Sequence, residues 1–308
     1  MNDRELDAQV RTAAFNFLAE QTQLHGDILT WEILSKGFLF KGQKVSLVSV
    51  NGIFKPAILP LAPLSLRTAA PDGNNYRLYN DEIGADGQIK YRYRGDNPDL
   101  GDNVRLRAAL HENVPLVYLF GVSTGRYKPV WPAYVVADSK VEMAVTLAMD
   151  DPTALIGKAK DHEYSEEAPR RRYVTTLVQR RLHQQLFREQ VIRAYRVQCA
   201  ICRLQHDELL EAAHIIPDSD PEGAATVSNG ISLCSIHHTA YDRNILGIRP
   251  DCVVQVRKDV LSESDGPMLK YGLQGFQDQR ISVPRQEMLK PNPAFLGRRF
   301  SAFLSADR

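Results

Sequence analysis

Three of the four cysteines in this chain, Cys199, Cys202 and Cys234, fall within residues 199–234, and His237 follows the last of them by three positions. A Cys-x2-Cys pair followed by a Cys-x2-His pair offers three soft sulfurs and one imidazole from two short knuckles, the donor set of a closed tetrahedral zinc site. No other feature constrains the fold as strongly, because both knuckles must converge on one point. The clustering argues for a metal rather than a spread disulfide framework. Zinc bound there contributes directly to the folding of a small domain whose core is expected to be thin. The fourth cysteine, Cys252, stands apart on a segment, 247–256, that reads as a strand, and burial is its expected role.

Between and after the knuckles lie Glu211-Ala-Ala-His214-Ile-Ile-Pro217, then Ser228-Asn229-Gly230, then His238-Thr-Ala-Tyr-Asp242. His238 and Asp242 are four residues apart, which on a helix places both on one face, one turn from each other, where they can hold one cation together. Mixed nitrogen and oxygen ligation with open positions accepts magnesium, manganese or another divalent first-row ion. In this order the motifs resemble the HNH, or ββα-metal, endonuclease family, of the type found in bacterial restriction endonucleases; the similarity covers about residues 193–248.

The resemblance implies hydrolysis of DNA phosphodiester bonds with one divalent metal. It makes His214, at the end of a strand, the general base that takes a proton from the attacking water. An imidazole suits that task, since its ordinary pKa of about 6.5 leaves much of it unprotonated near neutrality. His238 and Asp242 become the ligands of the catalytic cation, which stabilises charge growing on the phosphate. Asn229 corresponds to the middle letter of the family name, and either braces the loop that orients the base or touches the metal. Bracing is favoured, because Asn229-Gly230 also reads as a turn. The chain departs from many family members at Ala213, where a further metal ligand often stands. Glu211, three residues before His214, is the residue that would reach the cation through water.

The remaining sequence reads as an α+β protein of two domains: residues 1–150, a linker and basic helix over 151–192, and the nuclease domain with a C-terminal extension over 193–308. Apolar positions from Leu6 to Leu18 predict an amphipathic helix over 4–22, and Thr30 and Gly37 bracket a second one over 31–36. A strand pattern follows over 44–50. This opening is either winged-helix-like or a helical cap on a β domain. Strands are predicted over 88–94, 114–122 and 133–137, a helix over 102–110, and turns at Asp72-Gly73, Asp86-Gly87 and Gly125-Arg126, as in a curved sheet or small barrel.

From Arg170 to Arg196 eight arginines face one acid, Glu189, on a helical pattern. Arg180 and Arg181 on it are candidate phosphate contacts, the alternative being a solvated linker face. The segment 79–95 with the following Asp102-Asn103-Val-Arg105 resembles SRA and related PUA-like domains that read modified bases. If 91–94 is a strand, Tyr91 and Tyr93 lie on one face and Arg92 and Arg94 on the other. The arginines, with Arg105, would then contact phosphate while a tyrosine stacks on a base. The alternative is aromatic core with arginines in solvent.

The net charge of +1 gives no global polyanion signal, so a nucleic-acid surface must be local. No run of eighteen apolar residues occurs and the first residues carry acids, so the expectation is a cytoplasmic protein without membrane spans. The expected partner is double-stranded DNA, modified or foreign, and cutting both strands calls for two visits or a homodimer. A restriction role is the leading expectation. A non-catalytic zinc-containing DNA-binding module, or a homing, recombination or toxin nuclease, are the alternatives.

Overall fold

The structure is a computed structural model that describes residues 2–69, 89–150, 167–264 and 266–306; in the helix that begins at 167, side chains are described at 174, 175, 178 and from 181 onward. The predicted turns Asp72-Gly73 and Asp86-Gly87, the linker stretch 151–166 and the side chain of Arg180 lie outside the described residues. The chain forms two compact units, Met1–Leu182 and His183–Arg308.

In the first unit, α1 (Asp3–His25) starts where the Asn2 side chain accepts from the Arg4 amide and stops at Gly26, whose φ is 79°. Its apolar stripe buries Val10, Ala14, Phe15 and Leu18. After β1 (Leu29–Thr30), α2 (Trp31–Lys36) is capped by the Thr30 hydroxyl and closed by Gly37. Gly37 has φ of 60°, and a Cβ there would sit 2.0 Å from the Val45 carbonyl oxygen, so only glycine fits. A hairpin of β2 (Phe38–Phe40) and β3 (Gln43–Val45) follows. The strand expected over 44–50 ends early at Val45. Beyond it the Ser46 and Ser49 hydroxyls accept from the amides of Val48 and Asn51, local turns that compete with a ladder.

The main sheet takes β4 (Ile53–Phe54), β5 (Ser65–Arg67), β6 (Ile89–Arg92), then, after α3 (Gly101–His111), β7 (Leu116–Ser123), β8 (Arg126–Ser139) and β9 (Ala144–Met149). Its order among the described residues is β4-β5-β7-β8-β9-β6, with β1 paired to β8. Among the described residues only β5 and β7 run parallel. Gly125, with φ of 71°, turns the chain from β7 into β8. The strand predicted over 133–137 is one part of the longer β8, which bends at register shifts against both neighbours. Val117, Leu119 and Tyr127 share one core with α1 and α2, so the two opening helices are a cap on the sheet and not a winged helix. Arg11 fixes that cap: buried with Asp7, it also donates to the carbonyls of Pro63 (2.8 Å) and Pro115 (2.9 Å).

Helix α4 (Glu167–Ala194) contains the division between the units. The second unit continues with an antiparallel hairpin of β10 (Leu210–His214) and β11 (Gly230–Cys234), then α5 (Ser235–Asp242). The single strand expected over 247–256 is instead a hairpin of β12 (Leu246–Ile248) and β13 (Val254–Val256), because the Cys252 amide bonds back to the Arg249 carbonyl and closes a turn. Cys252 therefore sits half-buried in that turn, with φ of 64°. Short helices α6 (Lys258–Ser262) and α7 (Pro267–Gly272) lead to α8 (Pro293–Ala306). The core is not thin. Phe187, Val191 and Tyr195 of α4 pack with Ala213, Ile231, Tyr241 and Val254, and the C-terminal extension closes it with Ile281 and Leu296.

Candidate active site

The two cysteine knuckles meet. Cys199, Cys202, Cys234 and His237 present ligand atoms within 4.8 Å of one another. The individual separations are 3.1 Å from Cys234 Sγ to His237 Nδ1, 3.6 Å from Cys199 Sγ to the same nitrogen, and 3.9 Å between the sulfurs of Cys202 and Cys234. A tetrahedron with zinc–sulfur bonds of about 2.3 Å has edges of about 3.8 Å, so the set fits one ion. His237 Nε2 lies 2.9 Å from the Gly272 carbonyl oxygen and donates to it, which leaves the Nδ1 lone pair facing the sulfurs. Hydrogen bonds from the Cys202 and Cys234 thiols push the Cys199 thiol down. This Cys3His cluster can hold zinc.

His214 ends β10, opposite Gly230 in the hairpin register. Its ring stacks on Phe187, with centroids 4.0 Å apart and planes inclined by 22°. Among the described residues its Nε2 is buried and has no hydrogen-bond partner. Burial pushes the imidazole below its ordinary pKa; the charge of Asp218 acts in the opposite direction and does not overcome it. Burial thus favours the neutral ring, the form that accepts a proton.

His238 and Asp242 occupy one face of α5, with His238 Nε2 3.4 Å from Asp242 Oδ2. Two adjacent ligands of an octahedral cation with bonds of about 2.1 Å stand about 3 Å apart, so the pair fits a shared ion with a small adjustment. On the other side of the ring, His238 Nδ1 donates to the Glu211 carboxylate, whose second oxygen accepts from the Ser235 hydroxyl at 3.0 Å. The His238 contact holds the Glu211 carboxyl below its usual pKa range. Glu211 therefore contacts His238 directly. It sets the tautomer that turns Nε2 toward Asp242.

Asn229 is fully buried and fully used. Its side-chain oxygen accepts from the Ile216 amide at 2.9 Å, and its amide nitrogen donates to the carbonyls of Ile216 and Ala224, each at 3.0 Å. That geometry ties down the backbone immediately after His214. Asn229 closes a 3-10 turn, Val227–Asn229, and Gly230, with an extended backbone, begins β11. Its lack of a side chain matters because a Cβ would lie 2.4 Å from Val191 Cγ2 and 2.9 Å from the Phe187 ring. Glycine here admits α4, and with it the ring on which His214 stacks.

His214, His238 and Asp242 line one open cleft of about 680 Å³, together with Asp218, Asp220, Arg298 and Arg299. The two arginines come from α8, in the extension whose sequence signalled no role. Only the register of its apolar residues against arginine hinted at a packed helix with a basic face.

The candidate contacts of the first unit are distributed differently. Tyr91 and Tyr93 are 7% exposed, with hydroxyls bonded to the Arg67 carbonyl and to Asp138. They belong to the core, so base stacking from that face is replaced by the packing alternative. Arg92 and Arg94 are exposed on the other face, as strand alternation requires. Arg94 and Arg105 both pair with Asp102, at 2.6 and 3.2 Å. Arg181 is exposed on α4.

A family model described as HNH endonuclease matches residues 199–249, which span both knuckles, the β10–β11 hairpin and α5. Among solved structures the chain is similar to one described as a modification dependent TagI restriction endonuclease, at 14% identity over 79% of this chain and 82% of that one, with a TM-score of 0.28. No curated protein matches. Among the described residues no helix is long and apolar enough to cross a membrane. Residues 199–249, which carry both knuckles, the β10–β11 hairpin and α5, thus match the HNH endonuclease family model, a similarity that supports a nuclease.

Proposed function

We propose that the chain is a metal-dependent DNA endonuclease in which His214 is the general base, His238 and Asp242 hold one catalytic divalent cation, and Cys199, Cys202, Cys234 and His237 hold a structural zinc. The observation that carries this reading is the half-buried His214 imidazole, its pKa lowered by burial, lining the same cleft as the His238–Asp242 pair. His214 takes the proton of the attacking water, its ring kept in plane by Phe187. Asn229 holds the following backbone still, so the nitrogen does not drift from its target. Glu211 accepts the Nδ1 proton of His238 and so offers the Nε2 lone pair to a ligand, with Asp242 supplying charge beside it. Magnesium or manganese, when bound, supplies Lewis-acid stabilisation of the phosphate charge and of the leaving oxygen.

A nuclease domain of this size grips DNA chiefly through phosphate charge, and phosphate contacts do not read sequence. Target choice accordingly falls to the first unit, and the reading extends to a restriction enzyme acting on modified double-stranded DNA, with phosphate contacts from Arg92, Arg94, Arg105, Arg180 and Arg181. Incubation of purified protein with matched plasmids carrying cytosine, 5-methylcytosine or 5-hydroxymethylcytosine, each with magnesium or manganese, tests both levels. Metal-dependent cutting of the modified plasmids alone is the expected result. Equal cutting of all three removes the modification-sensing role and leaves the nuclease; no cutting under any condition removes the endonuclease.

A further inference from the structure

Helix α8 lies outside residues 199–249, yet Arg298, Arg299 and Ala302 on it form one side of the catalytic cleft. Its position is well anchored. Leu296 and Phe303 are buried, and the Phe303 ring occupies the space over Gly247, where a Cβ would come within 2.6 Å of it. Arg299 donates to the Tyr241 carbonyl at 2.6 Å and to Asn244 Oδ1 at 2.5 Å, while its guanidinium lies 4.8 Å from the centre of the Tyr241 ring. These contacts satisfy the carbonyl end of α5, the helix that carries His238 and Asp242.

The neighbouring arginine is held otherwise. Successive helix positions differ by about 100°, so Arg298 leaves the α5 contact to its neighbour and reaches the loop that follows His214. There it pairs with Asp220 and donates to Glu222 at 2.9 Å. Its side chain is 50% exposed, and so is much of Glu222. Ion pairs in such surroundings contribute little to stability. A guanidinium that fits a carboxylate with two parallel bonds fits a phosphate in the same way.

The geometry points to Arg298 as a phosphate contact of the nuclease cleft, kept beside the site by Asp220 and Glu222 until a backbone phosphate of the DNA replaces those carboxylates. The inference rests on the reading that the chain acts on DNA, and it assigns to the C-terminal extension a part in substrate binding. Arg299 is the anchor that fixes where Arg298 emerges.

The test is the salt dependence of binding, measured by fluorescence anisotropy with the full chain and a short labelled duplex in buffer without added divalent ions. Each phosphate contact steepens the plot of log K against log salt by about 0.9. Arg298→Ala is expected to flatten the wild-type slope by about 0.9 and weaken binding several-fold at low salt, with Arg298→Lys keeping most of the slope. Asp220→Asn with Glu222→Gln is expected to tighten binding, because the competing carboxylates are gone. A wild-type slope in Arg298→Ala, or weaker binding by the Asp220→Asn/Glu222→Gln variant, overturns the inference and leaves Arg298 a latch between α8 and the loop. Absence of duplex binding by the wild-type chain at any salt instead overturns the reading of the chain as a DNA enzyme.

Discussion

Half-buried against Phe187, the His214 imidazole is a weaker base than a free histidine, and this fixes how cleavage should respond to acid. Desolvation disfavours the charged ring, so its pKa lies below 6.5, with the Asp218 charge raising it part of the way back. Only the neutral ring accepts a proton. The acid limb of kcat/KM is therefore expected below pH 6.5, and Asp218→Asn, which removes the charge that favours protonation, is expected to move it lower still. A pH–rate profile of both proteins checks this; a limb above 6.5, or an upward move in Asp218→Asn, contradicts it. At this scale the sequence was most legible where ligand chemistry and spacing coincide: the knuckles converge, and His214 and the His238–Asp242 pair line one cleft. It was least legible for Glu211, because a carboxylate on a strand declares its partner only once the hairpin is folded against α5. Tyr91 and Tyr93 show the converse, since alternation gave the right faces but not which face was buried.

Elements position these residues through close approaches that single glycines allow. The hairpin of β10 and β11 presses on α4 at Gly230, where even one methyl group meets Val191 and Phe187. Gly230→Ala is expected to destabilise the second unit by about 1–3 kcal/mol, the usual cost of overpacking a core, and to slow cleavage by displacing the Phe187 ring under His214. Chemical denaturation and single-turnover cleavage measure the two effects; unchanged stability would show that α4 is free to move away. Helices were legible by their apolar period and caps, as α1 and α2 show with Asn2, Thr30 and Gly37. Strand extents were not, because the apolar runs at 44–50 and 247–256 are interrupted by turns that hydroxyl and backbone hydrogen bonds decide. The cap on the sheet was ambiguous in sequence since a winged helix carries the same order of elements, and the core that α1 and α2 share with the sheet decided it.

Over the whole molecule, stability divides as the chain does. Met1–Leu182 and His183–Arg308 each have a core, and Cys199 and Cys234 belong to that of the second. On the proposed zinc assignment, metal removal would leave thiols and an imidazole inside that core, so a chelator is expected to lower the calorimetric transition of the second unit and leave that of the first in place. Equal movement of both transitions, or of neither, contradicts the assignment. The charge balance of the chain disclosed none of this, since cleft, arginines and acids cancel in the sum. The central claim is that one neutral imidazole drives the cut, and cleavage of plasmid DNA by His214→Ala with manganese tests it most directly. The account predicts a rate loss of at least about 100-fold, with duplex affinity and zinc content unchanged; cutting at the wild-type rate would contradict it.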